Sequence, residues 1–170
     1  MTLQRFRILL ILLATVTALP ASAQNNRPTP SGLPVPRWVS LKFNKVYARA
    51  GPGEDHRLLW VYRVRRLPVQ VVQETADWRR VCDPEGGLAW VHKRTTDGER
   101  WAMNIGSDDA PLRAKAAEDS KVKALWRARS LAELDDCRGN WCRVKVGAAG
   151  GWAPRRVVWG STERAVCGAR

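Results

Sequence analysis

The chain has 170 residues, which is room for one ordinary domain or two very small ones. It carries 29 Lys and Arg against 16 Asp and Glu, a formal net charge of +13, and 45% of its residues are hydrophobic. These values exclude a large multidomain enzyme, a disordered or collagenous chain and a polytopic membrane protein.

Residues 1–23 have the three parts of a secretory signal peptide. Arg5 and Arg7 supply a positive start, an apolar run of about a dozen residues follows, and Pro20-Ala21-Ser22-Ala23 ends in an A-x-A pattern. The apolar run is too short to span a bilayer, which takes about 20 residues. We therefore predict cleavage after Ala23 and no transmembrane segment in the mature chain, and we expect a periplasmic or secreted protein.

Residues 24–37 read as a proline-rich linker. Four prolines in this short segment favour an extended, polyproline-like backbone over a packed element. We expect the folded part of the chain to begin near Trp38.

The chain then repeats itself. Arg49 aligns with Arg113, Trp78-x-Arg80-Val81 with Trp141-x-Arg143-Val144, and Trp90 with Trp152. One offset, shrinking from 64 to 62 residues along the chain, accounts for these matches. The repeat predicts two copies of one small unit.

Each copy has the pattern of short strands separated by turn residues. Alternating apolar residues and flanking Gly, Pro and Asp indicate strands at 68–74, 78–82 and 88–92, and again at 131–136, 141–146 and 151–154. About five short strands within ~60 residues favour a small closed barrel, which leaves no exposed sheet edge. We predict an all-β protein with one barrel at 38–104, a second at 105–160 and a tail at 161–170.

Three short motifs recur in the same order in both copies. They are Val46-Tyr47-Ala48-Arg49-Ala50-Gly51-Pro52-Gly53, Trp78-Arg79-Arg80-Val81 and Gly87-Leu88-Ala89-Trp90-Val91, then Pro111-Leu112-Arg113, Trp141-Cys142-Arg143-Val144 and Gly150-Gly151-Trp152. With these motifs the chain resembles the bacterial SH3-like domain of exported proteins, in a tandem arrangement. The resemblance implies small barrels that bind or position partners in the cell envelope, often beside peptidoglycan, and it implies no catalysis.

The second copy departs from the family pattern. It has Lys115-Ala116-Ala117 where the first copy has Gly51-Pro52-Gly53, and its Trp strand ends in Ala153-Pro154, where proline has no amide to donate to a ladder. We therefore expect a ligand groove in the first copy.

No catalytic constellation can be assembled from the residue types present. The only histidines are His56 and His92, and thiols of an exported chain are usually oxidised, so an activated Cys–His nucleophile is not expected. No metal-ligand spacing and no phosphate-binding glycine loop occur in the sequence. We predict a protein that is not an enzyme and has no metal or cofactor.

The four cysteines form an even set in an exported chain, and four allow three pairings. Cys137 and Cys142 flank a tight turn and are expected to join across a hairpin. Cys82, on an outward strand face, is then left with Cys167, although a free or intermolecular Cys167 is the alternative.

A binding surface is predicted on the first copy from aromatic and basic residues that recur on its turns and strand faces. We expect Trp90 and Trp152 to serve packing, and we assign the surface to Tyr47, Trp60, Tyr62, Trp78 and Arg80. The positive charge favours an anionic partner, and export excludes nucleic acid. We expect a module that recognises peptidoglycan or an envelope peptide. The alternative is a structural or regulatory partner of another periplasmic protein.

Overall fold

A computed structural model describes residues 29–162 and 164–167 of the chain. The predicted signal peptide, its cleavage site after Ala23 and the first part of the proline-rich linker lie outside these residues. The described chain consists of strands, loops and two single-turn 3-10 helices, Lys93–Thr95 and Arg155–Val157, and holds no α-helix.

The first barrel is a sheet of seven strands. They are β1 Arg37–Leu41, β2 Val46–Arg49, β3 Leu58–Tyr62, β4 Pro68–Glu74, β5 Trp78–Cys82, β6 Leu88–His92 and β7 Thr96–Asp97. The strand order is β3-β2-β6-β5-β4-β1-β7, and neighbouring strands are antiparallel. The pairing skips Leu59 on β3 and Val72 on β4, and such bulges bend a strand and increase its twist.

The second barrel repeats this topology. Its strands are β8 Trp101–Asn104, β9 Ala110–Arg113, β10 Val122–Trp126, β11 Leu131–Arg138, β12 Trp141–Val146, β13 Ala149–Pro154 and β14 Val158–Trp159. The order β10-β9-β13-β12-β11-β8-β14 matches that of the first sheet strand for strand, and the bulges recur at the equivalent places. The predicted fold, two tandem small β-barrels, is confirmed.

The boundary between the barrels lies before Trp101, earlier than the predicted end of the first barrel at residue 104. Trp101–Asn104 forms β8, which pairs with β11 and β14 of the second sheet. This strand is the counterpart of β1, because each is the first strand of its barrel and pairs with the fourth and the seventh strand.

Each barrel has its own core, built from the inward residues of alternating strands. In the first, Val46 and Tyr62 lie opposite each other on β2 and β3; in the second, Ala110 and Trp126 take the same places on β9 and β10. Tyr62 and Trp126 are both buried. Large aromatic residues therefore fill equivalent sites in the two cores.

The barrels are packed against each other through the last strand of the second. Trp159 of β14 belongs to the core cluster of the first barrel, where its ring meets Trp38 edge to face at 5.0 Å. Its indole Nε1 donates to the carbonyl of Pro68 at 2.7 Å. Met103 joins the same cluster. The first barrel's core is therefore completed by residues of the second.

Two disulfides are present; the sequence predicted the hairpin bond and left Cys167 either bonded to Cys82 or free or intermolecular. Cys137 is bonded to Cys142 across the hairpin between β11 and β12, and Cys82 is bonded to Cys167. Cys82 is fully buried, although it lies on the outward face of β5, because the chain after β14 returns across that face.

Candidate functional site

The surface predicted on the first barrel divides between the two faces of its sheet. Tyr47 lies on the outward face, is 44% exposed, and has the Lys45 ammonium 5.1 Å and the Arg49 guanidinium 6.0 Å from its ring centroid. The hydrogen bond and the charge of Lys45 lower the pKa of the Tyr47 hydroxyl. Tyr47 thus offers an aromatic ring within a basic surrounding.

Trp60 and Tyr62 face the core instead. They lie opposite Ala48 and Val46, both buried, and their rings meet edge to face at 6.0 Å. Tyr62 is only 8% exposed, and its hydroxyl donates to Asp83 Oδ2 at 2.9 Å. Burial, together with the Asp83 charge, raises the pKa of Tyr62. Tyr62 is therefore unavailable to a ligand, because alternation along β3 turns it inward.

Trp78 and Arg80 lie on the outward face of β5 and are half-buried. Trp78 is opposite His92, with the ring centroids 5.3 Å apart, and Arg80 is opposite Trp90. Of the five predicted residues, Tyr47, Trp78 and Arg80 thus share the outward side of the sheet, whereas Trp60 and Tyr62 do not.

An Arg–Trp–Arg row crosses three neighbouring strands in each barrel. In the first barrel Arg49 lies beside Trp90, which lies beside Arg80; in the second barrel Arg113, Trp152 and Arg143 occupy the equivalent places. The first Arg of each row also closes a loop: Arg49 donates to the carbonyl of His56 at 2.9 Å and Arg113 to that of Ser120 at 2.8 Å. The sequence repeat is therefore a repeat of side-chain arrangement.

The central tryptophans of the two rows differ in exposure. Trp90 is 8% exposed, as expected of a packing residue. Trp152 is partly exposed and lines a groove of about 940 Å³, whereas it was expected to serve packing. The Arg138 guanidinium lies 5.7 Å from the Trp152 ring centroid.

A second row of side chains crosses four strands of the first barrel on its outward side. Register places Trp38, Gln70, Cys82 and Leu88 next to one another on β1, β4, β5 and β6. We call this row the tail seat, because the C-terminal segment lies on it. Trp38 Nε1 donates to the carbonyl of Thr162, and Cys82 holds Cys167.

Gln70 is the centre of the tail seat. Its amide Nε2 donates to the carbonyl of Arg164 at 2.7 Å, and its Oε1 accepts from the backbone amide of Val166 at 2.9 Å. Gln70 has no exposed surface, so its side chain is fully covered where it makes both hydrogen bonds. A buried amide that pairs one backbone carbonyl and one backbone N–H binds a peptide by its main chain.

The second barrel has the same row without a chain upon it. Trp101, Glu133, Lys145 and Gly150 take the places of Trp38, Gln70, Cys82 and Leu88, by the same register on β8, β11, β12 and β13. All four line the groove of about 940 Å³ that Trp152 also lines. We call this row the open seat.

Glycines keep the groove open on the β13 side. Gly150 supplies no side chain where Leu88 packs on the first barrel's core. A Cβ at Gly151 would come within 2.8 Å of the carbonyl oxygen of Arg113, so this close approach of β13 to β9 requires glycine. The volume of the groove lies within the range usual for ligand sites.

The groove carries charges of both signs. Its cations are Arg66, Arg100, Lys123, Arg143 and Lys145, and its anions are Glu99, Glu133 and Asp135. Arg143 lies 3.4 Å from Asp135, and the Arg66 guanidinium covers the Trp101 ring at 4.3 Å. Glu133 and Lys145 are exposed and take part in none of the ion pairs among the described residues. These two side chains are available to a ligand.

The residues considered for catalysis have structural partners. His92 Nδ1 accepts from the backbone amide of Arg94 at 3.2 Å, and the His56 ring packs against Gly51. All four cysteines are disulfide-bonded. Within residues 29–162 and 164–167, no three His, Cys, Asp or Glu side chains form a metal cluster.

The sequence repeat contained the signal for the open seat, although the site was expected on the first barrel. The alignment that pairs Cys82 with Lys145 also pairs Gln70 with Glu133 and Leu88 with Gly150. Only the position of the tail decides which of the two seats is accessible.

In the described part of the chain, no helix has the length and apolar character needed to cross a membrane.

Comparison with known proteins supports the repeat. Residues 42–98 and residues 106–160 each match the bacterial SH3 domain. NlpC1 from Trichomonas vaginalis is a similar solved structure, with 12% identity and a TM-score of 0.36 over 81% of this chain and 50% of its own. NlpC2 from the same organism has 11% identity and a TM-score of 0.33 over 73% and 48%. The chain thus spans about half the length of these structures. No curated protein matches it.

Proposed function

This chain belongs to the bacterial SH3 domain family, and we propose that it is an exported, non-catalytic module that binds peptidoglycan in the cell envelope. Domains of this family commonly bind peptidoglycan. Two disulfides suit an oxidising compartment, for which the periplasm is the candidate. The absence of a catalytic role is supported by the bonded state of all four thiols, which leaves no cysteine nucleophile.

The observation that carries the proposal is the groove on the second barrel. It combines two partly exposed indoles, Trp101 and Trp152, with charged side chains of both signs. An indole ring stacks on the apolar face of a sugar, and Arg or Lys donates charged hydrogen bonds to carboxylates. Peptidoglycan carries both kinds of group, on its glycan strands and on its peptides.

Charge supports the same target. The chain has a formal net charge of +13, and an excess of that size attracts polyanions over long distances. Such attraction weakens as salt shortens the Debye length. Binding to an anionic wall is therefore expected to contain a salt-sensitive part, due to net charge, and a less sensitive part, due to the groove.

Co-sedimentation of the oxidised mature protein with purified sacculi, over a salt series, tests the proposal. We expect saturable binding that weakens but persists as salt rises, and a several-fold loss in Trp152→Ala. The matched control is Trp141→Ala, another half-buried tryptophan of the same barrel that lies outside the groove. Absence of binding by the wild-type protein at low salt would refute the proposal.

The same series separates the groove from the surface predicted on the first barrel. If Tyr47, Trp78 and Arg80 form the site, Trp78→Ala reduces binding and Trp152→Ala does not. We expect Trp152→Ala to reduce binding and Trp78→Ala to leave it unchanged. Trp78 packs on His92, and neither of these two side chains lines the groove.

A second candidate, a partner of another envelope protein, is favoured by one observation. Leu125 is 64% exposed on β10, which is the terminal strand of its sheet, and Val122 on the same strand is 44% exposed. Exposed apolar residues on a terminal strand mark protein interaction sites. Cross-linking in cells that returns one dominant protein, abolished by Leu125→Lys, would support this candidate.

A further inference from the structure

The repeat supplies a comparison within one molecule. On the first barrel, the tail seat holds a peptide segment that crosses β1, β4 and β5 in turn: Thr162 bonds to Trp38, Arg164 and Val166 to Gln70, and Cys167 to Cys82. This is a protein–peptide contact made through the peptide main chain. It shows what the outward face of this barrel can hold.

The open seat on the second barrel preserves the geometry of the tail seat but changes its chemistry. Trp101 keeps the indole of Trp38, with its Nε1 now donating to Glu99 Oε2 at 3.2 Å. Glu133 replaces Gln70, so that the centre of the seat only accepts hydrogen bonds and is negative. Lys145 replaces Cys82, so that a cation stands where the tail ends in its disulfide. Gly150 replaces Leu88 and leaves space.

We propose that the open seat binds a short peptide that crosses β8, β11 and β12 in the direction of the tail, with an amino group at Glu133 and a free C-terminal carboxylate at Lys145. This inference rests on the proposed function, because it assigns a ligand class to the same groove. Direction follows from the tail, whose chain runs from Trp38 past Gln70 to Cys82. The charges follow from the two substitutions that distinguish the seats.

Neighbouring side chains supply a second cation at the carboxylate end and a second anion near the amino end. The carboxylate end of the ligand lies beside Lys145 and within reach of the exposed Arg143 on the same strand. The amino group lies at Glu133, with Glu99 near Trp101 as a second anion and with the cations Arg66 and Arg100 also lining this end of the groove. A ligand that carried charges of only one sign would be repelled by Glu133 or by Lys145, and the other of these two side chains alone would be paired.

The test uses a defined probe, the peptide acetyl-Ala-Lys-Ala-Ala with a free carboxyl terminus, titrated into the oxidised mature protein. Nuclear magnetic resonance of the indole N–H groups reports which seat is occupied. We expect saturable shifts at Trp101 and Trp152 and none at Trp38, which the tail covers. Shifts at Trp38 or Trp78 without shifts at Trp101 would overturn the proposal.

Charge variants test the assigned contacts. Glu133→Gln and Lys145→Gln are each expected to weaken the probe roughly tenfold, the effect of losing one charge-assisted hydrogen bond. Asp136→Asn and Lys121→Gln are matched controls outside the groove and should leave the affinity unchanged. Amidation of the probe's carboxyl terminus should weaken binding to the wild-type protein by the same factor as Lys145→Gln does. It should cause no further weakening in Lys145→Gln. Equal affinity for the free and amidated probes would overturn the proposal.

Two sources share this ligand chemistry, the stem peptides of peptidoglycan and the C-terminus of a protein. Because the seat lies in the groove assigned to peptidoglycan, we assign it to the stem peptides: soluble stem peptides should displace the probe, and failure to displace a bound probe would overturn that assignment. Binding to sacculi without any shift by probe or stem peptide overturns this inference alone. Probe binding without binding to sacculi overturns the proposed function alone.

Discussion

Gln70 and Glu133 occupy the same position in the two barrels, and only Gln70 is covered. Gln70 lies between Trp38 and Cys82 and has no exposed surface, whereas Glu133 lies between Trp101 and Lys145 and is exposed. The neutral amide bonds to the main chain of the tail, and the carboxylate lines an open groove. One duplicated face thus has a structural use in the first barrel and is free in the second.

Replacing Gln70 with Leu is expected to loosen the tail. The substitution removes both partners of the tail main chain, and leaving buried polar groups unpaired costs about 1–3 kcal/mol. Denaturant unfolding should show this loss, and hydrogen exchange should accelerate at the Val166 amide, which Gln70 accepts from. Glu133→Leu is the matched control, with an expected change within about 0.5 kcal/mol because no chain covers it. Equal losses in both variants would contradict the assigned role of Gln70.

The two disulfides should contribute unequally to stability. Cys82–Cys167 closes a sequence separation of 85 residues and Cys137–Cys142 one of 5. The chain-entropy model assigns about 4.5 kcal/mol to the longer loop and about 2 kcal/mol to the shorter one. We expect Cys82→Ala/Cys167→Ala to lower the free energy of unfolding more than Cys137→Ala/Cys142→Ala, as measured by guanidinium denaturation. The reverse order would show that loop-closure entropy of the unfolded chain does not govern the contribution of the tail bond.

Replacing Trp159 with Ala should uncouple the barrels. This side chain fills the first barrel's core from the second barrel, and truncation of a buried tryptophan typically costs 3–5 kcal/mol. Calorimetry is expected to show a lower first transition and a separation of the two barrels' unfolding. Trp141→Ala, outside this interface, serves as the control. A single unshifted transition in Trp159→Ala would be inconsistent with the interface.

Acid stability should depend on Glu74. Its side chain is almost fully buried and bonds to Arg37 and Ser31. Burial alone would raise its pKa, but these hydrogen bonds outweigh burial and lower the pKa from 4.5 to about 2. Because the folded-state pKa is depressed, the stabilisation is present above pH 4.5 and is lost as the pH falls towards 2.

Glu74→Gln provides the measurement. It is expected to lower the free energy of unfolding at neutral pH by on the order of 2 kcal/mol and to flatten the acid limb of the stability curve. Asp77→Asn is a suitable control, since the Asp77 carboxylate is largely exposed beside Lys93. An unchanged slope of stability against pH between 4.5 and 2 in Glu74→Gln would refute the assignment.

Much of the fold follows from the sequence because its signals are local. Alternating apolar residues mark strands such as Pro68–Glu74, and turn residues mark their ends. The repeat of Arg49 and Trp90 as Arg113 and Trp152 predicts two barrels, since equal patterns form equal elements. The hairpin disulfide also follows from local spacing, because Cys137 and Cys142 flank one turn.

Face assignment within the predicted site required the tertiary structure. Tyr47 and Tyr62 have similar sequence surroundings, but pairing of β2 with β3 turns Tyr62 towards Asp83 and the core. A strand's hydrophobic alternation is ambiguous where both faces carry aromatic residues, so the sequence could not separate Trp60 from Tyr47. The bulge at Leu59, between Leu58 and Trp60, adds a register shift that the residue pattern does not predict.

The sequence by itself determined two barrels and six of the fourteen strands that the structure describes, and its repeat aligns Gln70 with Glu133. Only the tertiary structure decided that the tail covers Gln70 and leaves Glu133 open, because the hydrogen bonds of Gln70 join residues separated by 94 and 96 positions. Such long-range contacts arise from the packing of Trp159 on Trp38, which brings the chain end across the first barrel. Local sequence patterns do not predict that packing. Because the tail covers only the first barrel, the groove of the second barrel remains the accessible site.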